Sequence, residues 1–288
     1  TIARICNPDY TDQVYKMQKT FALSLTVNPE KQAAIEIERL LKFPGFLKRD
    51  SFAKGRVEIV ELRVDERSRL CNVALSELNR VIKCRVLVCA VLRRGDVVAP
   101  DGSFVLREGD RIFVTASTES LATLLDNLGI ITKKVNHVMI CGGGRVSYYL
   151  AQQLEKDGMT VRLIEKDPKH CEELAALLPK TEIINDDASN TFVLKRENIE
   201  SCDALVTATG MDELNMIISL YGTKHGVSQV ITKLGHMENG SMIDQLPIGS
   251  TIWPKDLCCN GIVRYIRAMH NQTGAAVSVH SIADGKAE

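Results

Sequence analysis

The sequence lacks any apolar segment long enough to cross a membrane. Its longest uninterrupted apolar run, Val86 to Leu92, is far shorter than the roughly 20 residues that a transmembrane helix needs. No signal peptide is visible, and the chain starts at Thr1 instead of methionine, which predicts a longer natural protein.

An excess of charge of either sign is also missing. The chain carries 36 basic and 36 acidic residues, so its formal net charge is zero. A protein without a net charge has no overall field that would draw it to nucleic acid or to an anionic membrane. We therefore predict that nucleic acid is not a partner.

Motifs for metal binding and for catalysis are absent as well. The nine cysteines form no CxxC pair and no Cys/His cluster at zinc spacing, and most lie in apolar runs. This pattern predicts reduced, buried thiols in a cytoplasmic protein and no metal site. The motifs GxxxxGK[ST], HExxH and GxSxG do not occur either, so no catalytic residue is predicted.

Two regions of the chain have different patterns. From Val135 to Asn271, short apolar runs alternate with segments of helical periodicity, which is typical of a parallel, doubly wound sheet. From Val57 to about Gly129, β-branched strands alternate with turns, which predicts a small α+β domain. The strands predicted in the first region are Val135–Cys141, Val161–Glu165, Glu182–Ile184, Ala204–Ala208 and Gln229–Leu234.

The chain also repeats itself. The N-terminal segment aligns with a segment beginning at Val230, and this pairs Arg4 with Lys233 and, further on, Pro29 with Pro254. Such an alignment is consistent with one large unit that occurs twice. We therefore predict that the chain begins inside one copy and ends inside the next.

The glycine loop "CGGGRVS" is the first candidate for a binding site. Gly142 and Gly144 directly follow a predicted strand and open a predicted helix. Glycines at these points allow a tight turn and let a pyrophosphate approach the backbone amides at the start of the helix. Ser147 stands where a third glycine is expected, so we expect a slightly displaced helix. A simple turn between strand and helix is the alternative.

Glu165 ends the second predicted strand of this region. A carboxylate at that point can accept hydrogen bonds from ribose hydroxyls and can repel a 2′-phosphate. It therefore favours NAD or an adenosine nucleotide over NADP, although the neighbouring Lys166 weakens the exclusion. A solvated charge at the end of a strand is the alternative.

More polar residues follow the next strands. Asp187 ends the third strand, and Thr209, Asp212 and Asn215 follow the fourth, at the edge of the sheet where ligands of open α/β folds bind. Asp212 is also explained as a helix N-cap, and Asn215 as a residue of the helix surface. On the fifth strand, Lys233, like its repeat counterpart Arg4, could reach phosphates or simply pair with an acid.

Four segments of the sequence resemble the TrkA family of Trk-type potassium uptake regulatory proteins. They are "MICGGGRVSYYLAQQLEKDGMTVRLIEKD", "INDDAS", "TATGMDELNM" and "DGSFVLREGDRIFVTASTESLATLLDNLG". Members of that family have two tandem RCK (KTN) units, each a Rossmann-like RCK_N domain followed by a small RCK_C domain. The resemblance implies these domains: 1–55, the end of a first RCK_N domain and a linker helix; 56–133, a first RCK_C domain; 134–272, a second, nucleotide-binding RCK_N domain; and 273–288, the start of a second RCK_C domain.

The resemblance also implies a function. It predicts a non-enzymatic regulatory subunit, peripheral at the cytoplasmic face of the cell membrane, that gates a potassium channel subunit of the TrkH/TrkG type. NAD(H), ATP or ADP would be the ligands, and the protein would assemble as a homo-oligomer, a dimer or a tetramer. By position, the ligand-binding residues would be Gly142, Gly144, Arg145 and Val146 at the phosphates, Glu165 and Lys166 at the ribose, Asp187 and Ala188 at the adenosine, and Thr209, Lys233 and Arg4 closing the site.

Two alternatives stay open at this stage. Three residues depart from the family pattern: Ser147 and Asp186, where glycines are usual, and Gly210, where a polar residue is common. Ser147 and Asp186 leave open the alternative of an assembly module that has lost its ligand. An NAD-dependent oxidoreductase is the other alternative, and it would need a positioned acid or base beside the cofactor.

Overall fold

A computed structural model describes residues 1–6, 20–42, 48–52, 57–65, 68–128, 134–235, 243 and 246–270. The chain divides into two compact units. The first unit joins Thr1–Lys42 to Lys134–Ile266, and the second joins Phe43–Lys133 to Arg267–Glu288. The predicted start of a second RCK_C domain, 273–288, lies outside the described residues.

The two units are built from strands and helices in a fixed order along the chain. In chain order the elements are β1 (Ile2–Arg4), β2 (Leu25–Val27), α1 (Pro29–Lys42), β3 (Lys48–Phe52), β4 (Val57–Arg63), α2 (Leu78–Ile82), β5 (Leu87–Arg93), β6 (Asp96–Val98), β7 (Arg111–Ala116), α3 (Thr118–Leu128), β8 (His137–Cys141), α4 (Arg145–Lys156), β9 (Thr160–Glu165), α5 (Pro168–Leu177), β10 (Glu182–Asn185), α6 (Thr191–Arg196), β11 (Ala204–Thr207), α7 (Asp212–Lys224), β12 (Gln229–Lys233), β13 (Ser250–Ile252) and α8 (Pro254–His270). None of the described helices is both long and apolar enough to span a bilayer.

The centre of the first unit is a six-stranded sheet in the order β10-β9-β8-β11-β12-β13. All of its neighbouring strands are parallel. Counted from β8, this is the strand order 3-2-1-4-5-6 of dinucleotide-binding folds. The prediction of a Rossmann-like, doubly wound parallel sheet is therefore confirmed.

Helices cover both faces of this sheet. Val138 and Ile140 point to one face and pack with α4 and α1, while Met139 and Cys141 point to the other face and pack with α6 and α7. A parallel sheet that is covered on both faces needs strands that are apolar throughout. This explains why β8 has the continuous apolar sequence "VMIC".

The sequence repeat is visible in the structure of the first unit. Arg4 pairs with Val27 in the two-stranded sheet of β1 and β2, just as Lys233 pairs with Ile252 between β12 and β13. In each case the next helix begins at a proline two residues later, at α1 and α8. The first of these helices, α1, buries its apolar face against α4, so that parts of two repeats share one core.

The second unit contains a five-stranded antiparallel sheet in the order β3-β4-β7-β5-β6. Residues of α2 and α3 pack on one of its faces. Asp110 is almost completely buried, and its carboxylate accepts two hydrogen bonds from Arg93, at 2.8 and 2.7 Å, and one from the Arg107 amide. The predicted small α+β domain is thus present, and its Gly-Asp turn is held by this ion pair.

Candidate functional site

The predicted site lies at the carboxyl ends of the parallel strands of the first unit. The glycine loop follows β8, and the segment with Thr209 follows β11, the strand next to it in the sheet. The strand order reverses between β8 and β11, and the crevice at such a point is where open α/β sheets bind ligands.

Gly142 is required by the local backbone. Its φ is +97°, a value that side chains other than glycine rarely adopt. A Cβ atom at this position would lie 2.8 Å from the Cα atom of Thr209 and 2.9 Å from the carbonyl oxygen of Ala208. Both of these are backbone atoms, so neither can rotate away, and the loop passes directly over the end of β11.

The two following glycines differ from each other. A Cβ at Gly143 would lie 2.7 Å from Leu174 and 2.9 Å from the carboxylate of Glu165, whereas one at Gly144 would meet nothing closer than 4.0 Å. Gly144 also lacks a side-chain cap for the first amides of α4. The protein itself therefore leaves open space at Gly144, in front of amides that can bind an anion.

The residues after Gly144 contribute to the loop in different ways. Arg145 is exposed at the first position of α4, so its guanidinium is free to turn towards a phosphate. Val146 lies on α4, and its side chain is buried in the core between this helix and the sheet. Its side chain cannot touch a ligand, and only its backbone amide could do so.

Glu165 is held against the glycine loop. Its Oε2 accepts a hydrogen bond from the Gly143 amide at 2.7 Å, and its Oε1 accepts one from the Asp167 amide at 2.9 Å. A carboxylate oxygen has lone pairs for about two hydrogen bonds, so each oxygen can accept one more. The alternative of a merely solvated strand-end charge is wrong, because the carboxylate joins β9 to the loop.

His170 was not singled out by the sequence, yet it contacts the glycine loop. Its Nε2 lies 2.9 Å from the Gly143 carbonyl oxygen, and its Nδ1 lies 3.1 Å from the carboxylate of Glu173. Burial works to lower the pKa of His170, but the hydrogen bonds to Glu173 and Gly143 outweigh it and raise that pKa. Because both partners are acceptors, the protonated ring fits this position best.

Thr209 and Lys233 are held together by Asn215. The fully buried Asn215 accepts hydrogen bonds from the amide and the hydroxyl of Thr209, at 2.9 and 2.7 Å. Its Nδ2 donates to the carbonyl oxygens of Lys233 and Thr209, at 2.9 and 3.3 Å. Asn215 is therefore not a residue of the helix surface, and it joins the ends of β11 and β12.

Lys233 points back towards the end of β11. Its Nζ donates a hydrogen bond to the Thr209 carbonyl at 2.7 Å. Burial lowers the pKa of Lys233, and the charges of Asp212 and Glu30 oppose that effect. Asp212 does not cap its helix, since Met211 is the N-cap, and its carboxylate instead accepts the Gly235 amide at 2.9 and 2.8 Å.

The predicted adenosine end of the site lies after β10. Asp187 is exposed there, and its carboxylate accepts the Ser189 amide at 2.8 Å, a bond that lowers its pKa. Lys166 is exposed and acts on Asp187 through its charge, while Ala188 is buried. Asp186, the departure from the family pattern, forms an ion pair with Arg196 at 2.8 Å.

Ser147 is buried without a hydrogen-bond partner. Its side chain is completely inaccessible, and within the part of the chain that the structure describes its Oγ contacts no donor or acceptor. A Ser147→Ala variant should therefore raise the free energy of unfolding by about 1 kcal/mol, because it removes an unsatisfied polar group and improves helix propensity. Urea unfolding followed by circular dichroism measures this.

The exposed Ser228 offers a matched control for Ser147. Ser228→Ala should change the free energy of unfolding by no more than about 0.5 kcal/mol. Loss of stability in Ser147→Ala would mean that the Ser147 hydroxyl has a hydrogen-bond partner, and that this bond stabilises the position where a third glycine is usual.

Two known domain families match separate segments of the chain. The TrkA-N domain matches residues 138–254, and the TrkA-C domain matches residues 59–129. The chain therefore contains a TrkA-N domain and a TrkA-C domain. The glycine loop, Glu165, Thr209 and Lys233 all lie in the TrkA-N domain, whereas Arg4 lies before both matched segments.

Similar proteins support this assignment. The Trk system potassium uptake proteins TrkA of Haemophilus influenzae and Archaeoglobus fulgidus (the latter a TrkA homolog) are each 30% identical to the chain, over 92% and 96% of its length. The chain spans 58% and 62% of the length of these two relatives. Both TrkA domains of the chain thus have relatives in bacteria and archaea.

Two solved structures have the same fold. They are the GsuK RCK domain, with a TM-score of 0.64 and 16% identity, and the GsuK channel bound to NAD, with a TM-score of 0.62 and 16% identity. The similarity covers 93% and 94% of this chain, and 57% and 47% of the other chains. At this level of identity the similarity establishes the fold.

Proposed function

We propose that the TrkA-N domain binds NAD(H) as the sensor of a Trk-type potassium uptake system. The observation that carries the proposal is the convergence of three groups at one edge of the sheet. These groups are the uncapped amides beside Gly144, the Glu165 carboxylate and the Lys233 ammonium. A pyrophosphate requires an anion-binding helix start and a cation, and a ribose requires a hydrogen-bond acceptor.

In this proposal the ligand crosses the sheet from β10 to β12. The phosphates lie against Gly142, Gly144, Arg145 and the Val146 amide, and the adenine ribose lies at Glu165. The adenosine extends towards Lys166, Asp187 and Ala188. On the other side, Thr209, Lys233 and Arg4 close the site. The adenine nucleotides ATP and ADP share these groups and are the second class of ligand.

The regulatory part of the proposal rests on the relatives. Proteins with these two domains are named as parts of Trk potassium uptake systems, and one structural neighbour is a channel bound to NAD. We infer that the whole protein acts in the cytoplasm as a homo-oligomer on the inner face of the membrane. Its partner would be a potassium channel subunit of the TrkH/TrkG type.

The arrangement of the repeats suggests how a ligand would act on the partner. The ligand would touch α4 through the glycine loop and β1 through Arg4, and α1 of the preceding repeat packs on α4. A ligand that binds more tightly to one packing arrangement of these elements shifts the equilibrium towards that arrangement. A coupling free energy of about 1 to 3 kcal/mol is typical of such a shift.

Calorimetric titration with NAD⁺, NADH, ATP and ADP tests the proposal. We expect saturable binding by the wild type and binding of NAD⁺ and NADH weakened by at least about tenfold in Glu165→Ala, because a hydrogen-bonded carboxylate is lost. Glu182→Ala is the control, since Glu182 begins the neighbouring strand β10 and is exposed beside Arg162. It should bind NAD⁺ like the wild type.

Other outcomes would favour the alternatives. Absence of binding at millimolar ligand, with no nucleotide co-purifying, would support a ligand-free assembly module. A change of nicotinamide absorbance with candidate alcohols or acids would support an oxidoreductase. Unchanged NAD⁺ binding in Glu165→Ala would remove the ribose assignment.

A further inference from the structure

His170 holds the glycine loop from the side of α5. It lies in the first turn of that helix, and its Nε2 is 2.9 Å from the Gly143 carbonyl oxygen. Leu174 lies one turn further along the same face of α5. A Cβ at Gly143 would lie 2.7 Å from the Leu174 side chain. His170 and Leu174 together therefore fix the position of Gly143 relative to α5.

The two peptide groups on either side of Gly143 are held by different side chains. The Gly143 amide belongs to the first peptide, and it donates to the Glu165 carboxylate at 2.7 Å. The Gly143 carbonyl belongs to the second peptide, and it has His170 as its partner. The second peptide is trans, so its Gly144 N–H points in the opposite direction from its carbonyl, away from α5. His170 thus sets the direction of the Gly144 amide.

The peptide between Gly143 and Gly144 needs such a hold. It is flanked by two residues without Cβ atoms, so side-chain sterics do not restrict its rotation. Gly144 is also the N-cap of α4 and supplies no side-chain cap. A phosphate that accepts a hydrogen bond from the Gly144 amide requires one orientation of this peptide. A side chain that fixes this orientation before the ligand arrives lowers the entropic cost of binding.

Both ring nitrogens of His170 face acceptors, and only a protonated ring can donate to both. Nδ1 lies 3.1 Å from the Glu173 carboxylate, and Nε2 faces the uncharged Gly143 carbonyl. A neutral imidazole has a single N–H, so it can donate to only one of them. Burial works against the charged ring, but the two hydrogen bonds and the charges of Glu165 on β9 and Glu173 on α5 outweigh it. The pKa of His170 is therefore raised.

We propose that His170 is a positioning residue of the nucleotide site, which holds the Gly144 amide towards the phosphates while it is protonated and so makes the affinity for NAD(H) depend on pH. The inference rests on the proposed nucleotide site and adds a regulation of it. The affinity should be full below the ordinary histidine pKa and should be lost as the pH rises through the raised pKa of His170.

Calorimetric titration with NAD⁺ at several pH values tests the proposal. The affinity of the wild type should fall about fivefold between about pH 6 and about pH 8.5, because His170 loses its proton in this range and a charge-assisted hydrogen bond is lost with it. NAD⁺ is the probe because its bridging phosphates keep their charge throughout.

Three variants assign the pH dependence to His170. His170→Gln keeps an uncharged donor for the Gly143 carbonyl, so it should rescue binding at low pH and show no fall. His170→Ala should bind NAD⁺ about fivefold more weakly than the wild type at low pH, again without a fall. Glu173→Gln removes an anion that favours the protonated ring, so the fall should occur at lower pH.

His225→Gln is the matched control. The Nδ1 of His225 also lies beside an exposed glutamate, Glu200, at 2.8 Å, but His225 follows α7 instead of facing the glycine loop. This variant should keep the pH profile of the wild type.

NMR of the His170 ring protons provides a second measurement. Coupling between a ligand and a proton is reciprocal, so saturating NAD⁺ should raise the pKa of His170. A histidine that serves the fold alone would affect stability without this shift.

A fall that is present in the wild type and in His225→Gln but absent in His170→Gln supports the proposal. An equal affinity of the wild type at low and high pH, or an equal fall in His170→Gln, overturns it but leaves the nucleotide site intact. If His170→Ala fails to fold, the profiles of His170→Gln and Glu173→Gln decide in the same way. Absence of NAD⁺ binding by the wild type at every pH overturns both proposals.

Discussion

A Gly142→Ala variant is expected to lose nucleotide binding and about 3 kcal/mol of stability, because a Cβ at this position combines backbone strain with overpacking. The φ of +97° is unfavourable for alanine, and the new atom would lie 2.8 and 2.9 Å from backbone atoms of Thr209 and Ala208. Either the loop or the end of β11 must move. Both line the proposed phosphate site, so the damage reaches folding and binding together.

Variants of two further glycines distinguish the effect of backbone strain from that of overpacking. Gly158 has a φ of +76° with no atom within 4 Å of its Cβ position, so Gly158→Ala should cost only about 1 kcal/mol, for backbone conformation alone. Gly144 has an ordinary φ of −64° and open space, so Gly144→Ala should fold normally and still weaken NAD⁺ binding. Urea unfolding and calorimetry on the three variants measure this. Near wild-type stability of Gly142→Ala would contradict the loop geometry.

Replacement of Asn215 by leucine should have a comparable effect on stability. We expect Asn215→Leu to lose about 3 kcal/mol of unfolding free energy, because several buried groups lose their hydrogen-bond partner at once. These partners are the amide, hydroxyl and carbonyl of Thr209 and the carbonyl of Lys233. Thr209 and Lys233 would both close the nucleotide site, so the affinity for NAD⁺ should also fall.

The control for Asn215 is on the same helix. Thr223 is exposed near the end of α7, so Thr223→Leu introduces the same side chain without removing a buried network. It should change the free energy of unfolding by less than about 0.5 kcal/mol. A loss below about 1 kcal/mol in Asn215→Leu would mean that water replaces the amide, and that the link between β11 and β12 is not rigid.

The sequence predicted the long, periodic elements of the fold. Strands β8 to β12 are present close to their predicted bounds, and helices α4 to α7 lie in the segments of helical periodicity between them, since apolar runs and helical periodicity are local properties of a sequence. The short strands β1, β2, β3 and β13 were not predicted as such. They contain three to five residues, too few for a period to be recognised, and their partners in the sheets fix their conformation.

The candidate site divides in the same way. Gly142 and Glu165 were assigned because a glycine loop and a strand-end acid lie at a characteristic spacing. The sequence did not indicate the contact of His170 with the glycine loop or the buried hydrogen bonds of Asn215, because both depend on residues distant in sequence. His170 meets the Gly143 carbonyl 27 positions earlier, and Asn215 meets the Lys233 carbonyl 18 positions later. Nothing in the local pattern around either residue indicates these partners.

The sequence by itself determined that a glycine loop opens a doubly wound sheet, that Glu165 ends its second strand, and that Arg4 and Lys233 are equivalent residues of two repeats. Each of these follows from spacing and period along the chain. Only the tertiary structure decided that α1 of one repeat packs on α4 of the next. Packing of this kind depends on burying apolar faces that are distant in sequence, and no local pattern records which faces meet.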